Sequence, residues 1–185
     1  SWTDQYNKGQ LKFEERVVIS ANSMPDELGL KGIDDVLVME NGDIFIVDLA
    51  MHQVLKFDKN GTYITRIGRQ GSGPGDLNLP RYIAFNGKYL IIWEIRNQRF
   101  SLFGPDGKFV KIIKPQNRMM VHGIKSLKNG ELIVENVIYK YGKNIGQEIL
   151  LKRYSSEMVF VKEMYRQKVL SDRYISTPIR INIVQ

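Results

Sequence analysis

The stretch GRQGSGPGDLNLP, residues 68–80, holds four glycines (Gly68, Gly71, Gly73, Gly75) and two prolines (Pro74, Pro80). Such a run is either a phosphate cradle or a connector that needs glycine to turn. A Walker-type loop starting at Gly68 requires Lys after Gly73, where this chain has Pro74. A dinucleotide fingerprint starting at Gly71 requires Gly at position 76, where the chain has Asp76. Neither frame leads into a helical pattern, so no helix N-terminus is at hand to bind phosphate. The stretch is therefore read as a connector between strands, with Pro74 and Pro80 stiffening it.

Outward from this connector the chain repeats. Asx-Gly pairs occur at Asn41-Gly42, Asn60-Gly61, Asn86-Gly87, Asp106-Gly107 and Asn129-Gly130. They favour tight hairpins because both central residues accept positive φ. Gly42 to Gly87 is 45 residues, Gly87 to Gly130 is 43, and Gly61 to Gly107 is 46, so two interleaved turn series share one period. Strand-like runs fill the intervals: DDVLVME (34–40), DIFIVD (43–48), QVLKFD (53–58) and TYITRIG (62–68) in the first unit. RYIAFNG (81–87), KYLIIWE (88–94), QRFSLFG (98–104) and KFVKIIK (108–114) form the second, and HGIKSLK (122–128), ELIVEN (131–136), EILLKRY (148–154) and MVFVKEM (158–164) the third. Helical periodicity is missing. IFIV, YLII and ELIV are apolar on both faces, which suits strands buried between two neighbouring sheets.

A period near 45 with four strands per unit is the signature of a β-propeller blade. A sandwich would not repeat its turn chemistry at a fixed interval, and a solenoid would have a shorter period. The expected fold is all-β, with four-stranded antiparallel blades at about 33–67, 81–114 and 122–165 in one domain, or part of one, spanning 1–185. Three blades do not close a ring, since propellers use roughly four to eight. LKFEERVVIS (11–20) and RINIVQ (180–185) are expected to add one strand each. The ring is expected to be completed by a longer protein or a second chain.

IFIVDLAMHQVLKFDKNGTYITRIGRQGSGPGDLNLP resembles an NHL-type repeat: an apolar strand ending in Asp48, a turn with His52, a Phe57-Asp58-x-x-Gly61 hairpin and a Gly-rich linker closing on Pro80. The second unit is similar but looser, with Glu94 for the Asp, Arg99 after the turn and FGPDG (103–107) as hairpin. The third departs further, with Glu135 near the Asp position and an insertion at 137–146. Gly68–Pro80 is particularly similar to six-bladed propellers of bacterial secreted or lipid-anchored envelope proteins. The resemblance implies a six-bladed ring in the full protein, an extracytoplasmic location in a bacterium (periplasm, outer membrane-associated or secreted) and a lipid anchor upstream of this chain as one option.

Composition bounds the chemistry. The 185 residues include no cysteine, which excludes disulfides, zinc-thiolate sites and a Cys nucleophile. No apolar run is long enough for a membrane-spanning helix. The net charge is +7, unevenly spread: residues 1–80 carry 8 basic and 12 acidic side chains, whereas residues 81–125 carry 9 and 2. That excess points to an anionic partner.

In a propeller the Asx-Gly hairpins share one face, and the opposite face collects the b–c turns and inter-blade linkers. That second face carries Arg69, Arg96, Lys114, Arg118, Lys140 and Lys143 with Tyr139 and Tyr141, against Asp48, Asp76 and Glu94. The candidate ligand-binding residues are Arg69, Arg96, Arg118, Tyr139, Tyr141 and Lys143, for an anionic small molecule, glycan or protein. Asp48, Gly61 and Gly107 are assigned to turns. His52 and His122 are the only histidines, too few for a metal site without carboxylates such as Asp48 or Glu94. No nucleophile-elbow motif supports a Ser-His-Asp triad, and Trp93 is assigned to the core. No cofactor, metal or catalytic residue is assigned. The leading expectation is a noncatalytic binding propeller of a bacterial envelope. The alternatives are a metal-dependent enzyme of lyase or lactonase type and, ranked lower, a single-stranded RNA-binding NHL domain.

Overall fold

A computed structural model describes residues 17–25, 28–140 and 146–170. Among them are twelve strands and one short 3-10 turn, Ala21–Ser23. The first sheet holds β1 (Asp35–Val38), β2 (Ile44–Asp48), β3 (Gln53–Phe57) and β4 (Tyr63–Ile67); the second holds β5 (Pro80–Phe85), β6 (Leu90–Glu94), β7 (Arg99–Phe103) and β8 (Phe109–Ile113). The third holds β9 (Val121–Ser126), β10 (Leu132–Lys140), β11 (Gly146–Tyr154) and β12 (Phe160–Leu170). In each sheet, sequential neighbours pair antiparallel.

The doubly apolar runs explain how the sheets stack. Successive residues of a strand point to opposite faces. On β6, Leu90 and Ile92 therefore join Phe45, Val47, Val54 and Ile67 of the first sheet, while Ile91 and Trp93 join Val121, Ile124, Leu132 and Val134 of the third. The middle sheet is thus covered on both sides. The outer face of the first sheet, Ile46, Leu55 and Phe57, packs against Met24, Ile19, Leu28 and Leu30 of the segment that precedes β1. That segment is not a strand over residues 17–20. Residues 11–16 and 180–185, the rest of the two expected flanking strands, lie outside the described residues. The strands β1, β5 and β9 run side by side, so the first strand of each sheet lies on a common inner edge.

The turn chemistry differs in detail from the expectation. In each Asx-Gly pair only the glycine has positive φ, between 80 and 89° at Gly42, Gly61, Gly87, Gly107 and Gly130. Four of the five hairpins share one pattern. Met39, for example, accepts from the Gly42 N–H and donates its own N–H to Asp43. This is a three-residue loop with the glycine as a left-handed bulge residue, which spares the Asx residue a left-handed conformation. The Asx side chain accepts the backbone N–H two residues on at Asn41 (from Asp43), Asn86 (from Lys88), Asp106 (from Lys108) and Asn129 (from Glu131), whereas at Asn60 the Thr62 N–H goes to Asp58 instead. The sixth equivalent hairpin, between β11 and β12, has Met158 in the glycine position at φ 64°, and its side chain is buried in the core between the second and third sheets.

The third sheet also corrects the reading of residues 137–146 as a loop insertion. β10 continues through Lys140 and pairs residue by residue with β11, Val137 with Ile149 and Lys140 with Gly146. Ion pairs hold the extension, because buried Glu148 binds Lys140 from β10 and Arg166 from β12.

Candidate ligand-binding site

The linkers and the β2–β3 and β6–β7 turns lie at one end of the three sheets, where β10 ends at Lys140 and β11 begins at Gly146. The last residue of β2 and of β6, and its counterpart Asn136 on β10, is buried and accepts a backbone N–H from the linker entering its own sheet. Asp48 accepts from Lys31 (2.7 Å), Glu94 from Asn78 (2.9 Å) and Asn136 from Met120 (2.9 Å). Asp48 also accepts from Met51 in the turn that follows it (3.0 Å). The first residue of the next strand donates back to linker carbonyls: Gln53 to Gly29 in the first sheet, Arg99 in the second.

Arg99 answers the question posed by the glycine-rich stretch. Its guanidinium is 3% exposed and donates to Glu94 (2.6 Å), itself fully buried, and to the carbonyls of Ser72 (2.8 Å), Gly73 (3.2 Å) and Asp76 (2.9 Å). Ser101 also donates to Glu94. The loop therefore turns carbonyl oxygens toward a cation, whereas an anion cradle turns N–H groups toward its ligand. The loop N–H groups are used internally, Gly73 to Asp76, Asp76 to Gly73 and Leu77 to Arg69. Glycine is required at Gly68, where φ is 76° and a Cβ would stand 2.5 Å from the buried Leu77 side chain.

A second clasp repeats between sheets. His52 and Gln98 end their turns with positive φ (55° and 50°). Each accepts the N–H of a linker residue just before the next sheet: His52 Nδ1 from Leu79 (3.0 Å) and Gln98 Oε1 from Met119 (2.9 Å). His52 is thus a fastener whose Nδ1 is used as an acceptor. Replacing His52 with Gln should keep the clasp. Replacing it with Ala strands the Leu79 N–H, at a cost of about 1–3 kcal/mol in urea unfolding. Equal stability of the two variants would show that the bond contributes nothing.

Between the second and third sheets, at this same end, lies a groove of about 550 Å³. Arg81 and Tyr82 enter from the start of β5, Ile95 and Gln98 from the β6–β7 turn, and Trp93 from β6. Arg118 to His122 come from the linker and β9, and Val137 to Tyr139 from the β10 extension. Among the described residues no carboxylate lines it. The Arg81 guanidinium lies 5.8 Å from the Tyr82 ring centre. Neither Arg81 nor Arg118 forms an ion pair with a described residue, unlike Arg69 with Asp76 and Arg153 with Glu131. The basic segment 81–125 leaves no carboxylate to neutralise them: Glu94 is consumed by Arg99, and Asp106 sits in the opposite-end hairpin beside Lys108. The carboxylate beside the groove is Glu135, paired across strands with Gly123. Burial pushes its carboxyl upward, against the opposing pull of His122.

Of the residues singled out from sequence, Arg118 and Tyr139 come together at this groove. Arg96 is exposed in the β6–β7 turn outside its lining, and Arg69 is exposed and held by Asp76 (3.1 Å). Tyr141 and Lys143 lie outside the described residues. Gly61 and Gly107 occupy hairpin bulges. Arg81 was missed, and His122 was weighed only as a metal ligand, because each is the second residue of an inner strand, where alternation marks it only as the polar partner of a buried neighbour.

Residues 23–79 match the model of a family described as a 6-bladed beta-propeller. With three four-stranded sheets stacked face on face and their first strands along one edge, that match decides the architecture. The fold is a β-propeller. Among solved structures, a candidate exported protein of Bacteroides fragilis NCTC 9343 is similar at 19% identity and a TM-score of 0.62, covering 78% of this chain and 40% of its own. Hydrazine synthase of Kuenenia stuttgartiensis is similar at 16% identity and a TM-score of 0.53, covering 75% and 37%. The propeller chain thus spans less than half the length of either structure. No curated protein matches its sequence. No helix among the described residues is long and apolar enough to cross a membrane.

Proposed function

We propose that the chain is part of a noncatalytic binding propeller of a bacterial cell envelope, and that the groove between its second and third blades receives an anionic ligand. The observation that carries this reading is the pair of unneutralised guanidiniums, Arg81 and Arg118, bordering a groove whose lining holds no acidic side chain. The lack of a Ser, Thr or carboxylate among the described residues of that lining supports binding over hydrolysis. The absence of cysteine and the likeness to the Bacteroides structure support an envelope location.

The test is replacement of Arg81, Arg96 and Arg118 together by Ser, followed by titration with a heparin oligosaccharide, an acidic peptide and an aryl carboxylate. All three arginines are exposed, so folding should change by less than about 1 kcal/mol. At least one anion should bind the parent chain and lose affinity by about tenfold or more in the variant. If the variant unfolds, these side chains are packing elements and the reading fails. If all three anions bind parent and variant alike, the charge is incidental.

A further inference from the structure

Resting on that anion-binding reading, we infer that the ligand of the groove is an amphipathic organic anion, with one acid group met by Arg81 and Arg118 and an apolar body laid against Ile95, Met120 and Tyr139. Three observations select this class over a sugar or a polyanion. First, the one side-chain amide of the lining is not available to a row of hydroxyls: Gln98 is spent at both ends, donating to the Ile95 carbonyl (2.9 Å) and accepting from Met119 (2.9 Å), and the donors left to a ligand are mostly cationic. Second, large apolar side chains stand open beside the guanidiniums, with Met120 49%, Ile138 40% and Tyr139 38% exposed. Methionine adapts its shape to varied apolar ligands. Third, about 550 Å³ fits a drug-sized molecule, and two guanidiniums fall short of the extended cationic row on which a polyanion depends.

The acid group is placed by charge. Arg81 stays over the Tyr82 ring, which fixes its direction and leaves its donors unused. His122 adds a donor at the same rim, with Glu135 behind it on the neighbouring strand. An anion entering the groove therefore meets donors from two blades at once, while its body covers apolar surface now in water.

The experiment uses the whole chain with 1-pyrenebutyrate and its neutral counterpart 1-pyrenebutanol, read by fluorescence anisotropy and calorimetry. The acid should bind at one site about tenfold or more tighter than the alcohol. Arg81→Ser with Arg118→Ser should erase that preference and leave the alcohol unchanged, and the single changes Arg81→Gln and Arg118→Gln should each erase part of it. Met120→Ser with Tyr139→Ser should weaken both compounds by about tenfold. Phe160→Ser, on the exposed apolar face of the third sheet, should alter neither. Equal binding of acid and alcohol overturns the inference. So does acid binding indifferent to Met120 and Tyr139; if heparin or peptide binding still depends on the arginines, anion binding stands while its amphipathic refinement falls. Binding of none of these anions overturns both.

Discussion

Arg99→Ala is expected to lower the stability of the chain by about 3–5 kcal/mol, the range for breaking a buried ion pair by removing one partner. Glu94 is fully buried, and without Arg99 its carboxylate keeps only the Ser101 hydroxyl, the Asn97 amide and the Asn78 N–H. The carbonyls of Ser72, Gly73 and Asp76 lose their donor at the same time. The linker between the first two blades would then lack the cation around which it is wound. Urea unfolding measures the loss, and amide exchange at Gly71 to Leu77 should rise together with it. Arg99→Lys should recover only part, because an ammonium cannot reach a carboxylate and three carbonyls in the planar fork of a guanidinium. Replacing both Glu94 and Arg99 by Leu should be milder than Arg99→Ala alone, since no charge remains buried. If Arg99→Ala unfolds at the same urea concentration as the parent, the loop holds its shape without the cation.

Trp93→Ala is expected to cost about 3–5 kcal/mol, and its damage should be confined to one seam. Trp93 is 1% exposed and packs against Phe100 with ring centres 4.7 Å apart and the ring planes tilted by 52°. Its side of β6 faces Val121, Leu132 and Val134, so the cavity opens between the second and third blades. The seam between the first and second blades is built by Leu90 and Ile92 instead, on the opposite face of the same strand. Hydrogen exchange should therefore accelerate in β9–β12 more than in β1–β4. Trp93→Phe, which keeps a ring against Phe100, should lose less. Equal acceleration in all three blades would show that they unfold as one unit rather than seam by seam.

Much of the architecture is legible in the chain because it rests on local chemistry. A hairpin of the kind at Gly42 or Gly61 is closed by hydrogen bonds spanning a few residues and needs a residue tolerant of the left-handed region, so glycine after Asn or Asp marks it. Runs such as IFIVD and LIIWE are apolar at every position but the last because both faces are covered, LIIWE by a sheet on each side and IFIVD by the second sheet and the segment before β1, and that doubling shows in the composition of the runs. The misplacement of Pro74 and Asp76 likewise suffices to remove the nucleotide motif. Where a local signal is replaced by a packing one, the reading falters. Met158 takes a left-handed conformation without glycine because burial against the second blade holds it there, and the extension of β10 through Lys140 depends on Glu148 and Arg166 from two other strands.

The candidate site belongs to the second kind. The nearly unopposed positive charge of residues 81–125 is legible in the chain, as is the place of Arg118 and Tyr139 toward the linker end of their blades. Packing between blades is what joins Arg81 and His122, from the inner strands of adjacent blades, to them around one groove, neutralises Arg69 with Asp76 and buries Arg99 in the glycine-rich loop. The physical reason is that an arginine's role depends on which carboxylate or carbonyl it meets across a sheet-to-sheet contact, and those partners are set by stacking between blades, not by spacing along the chain.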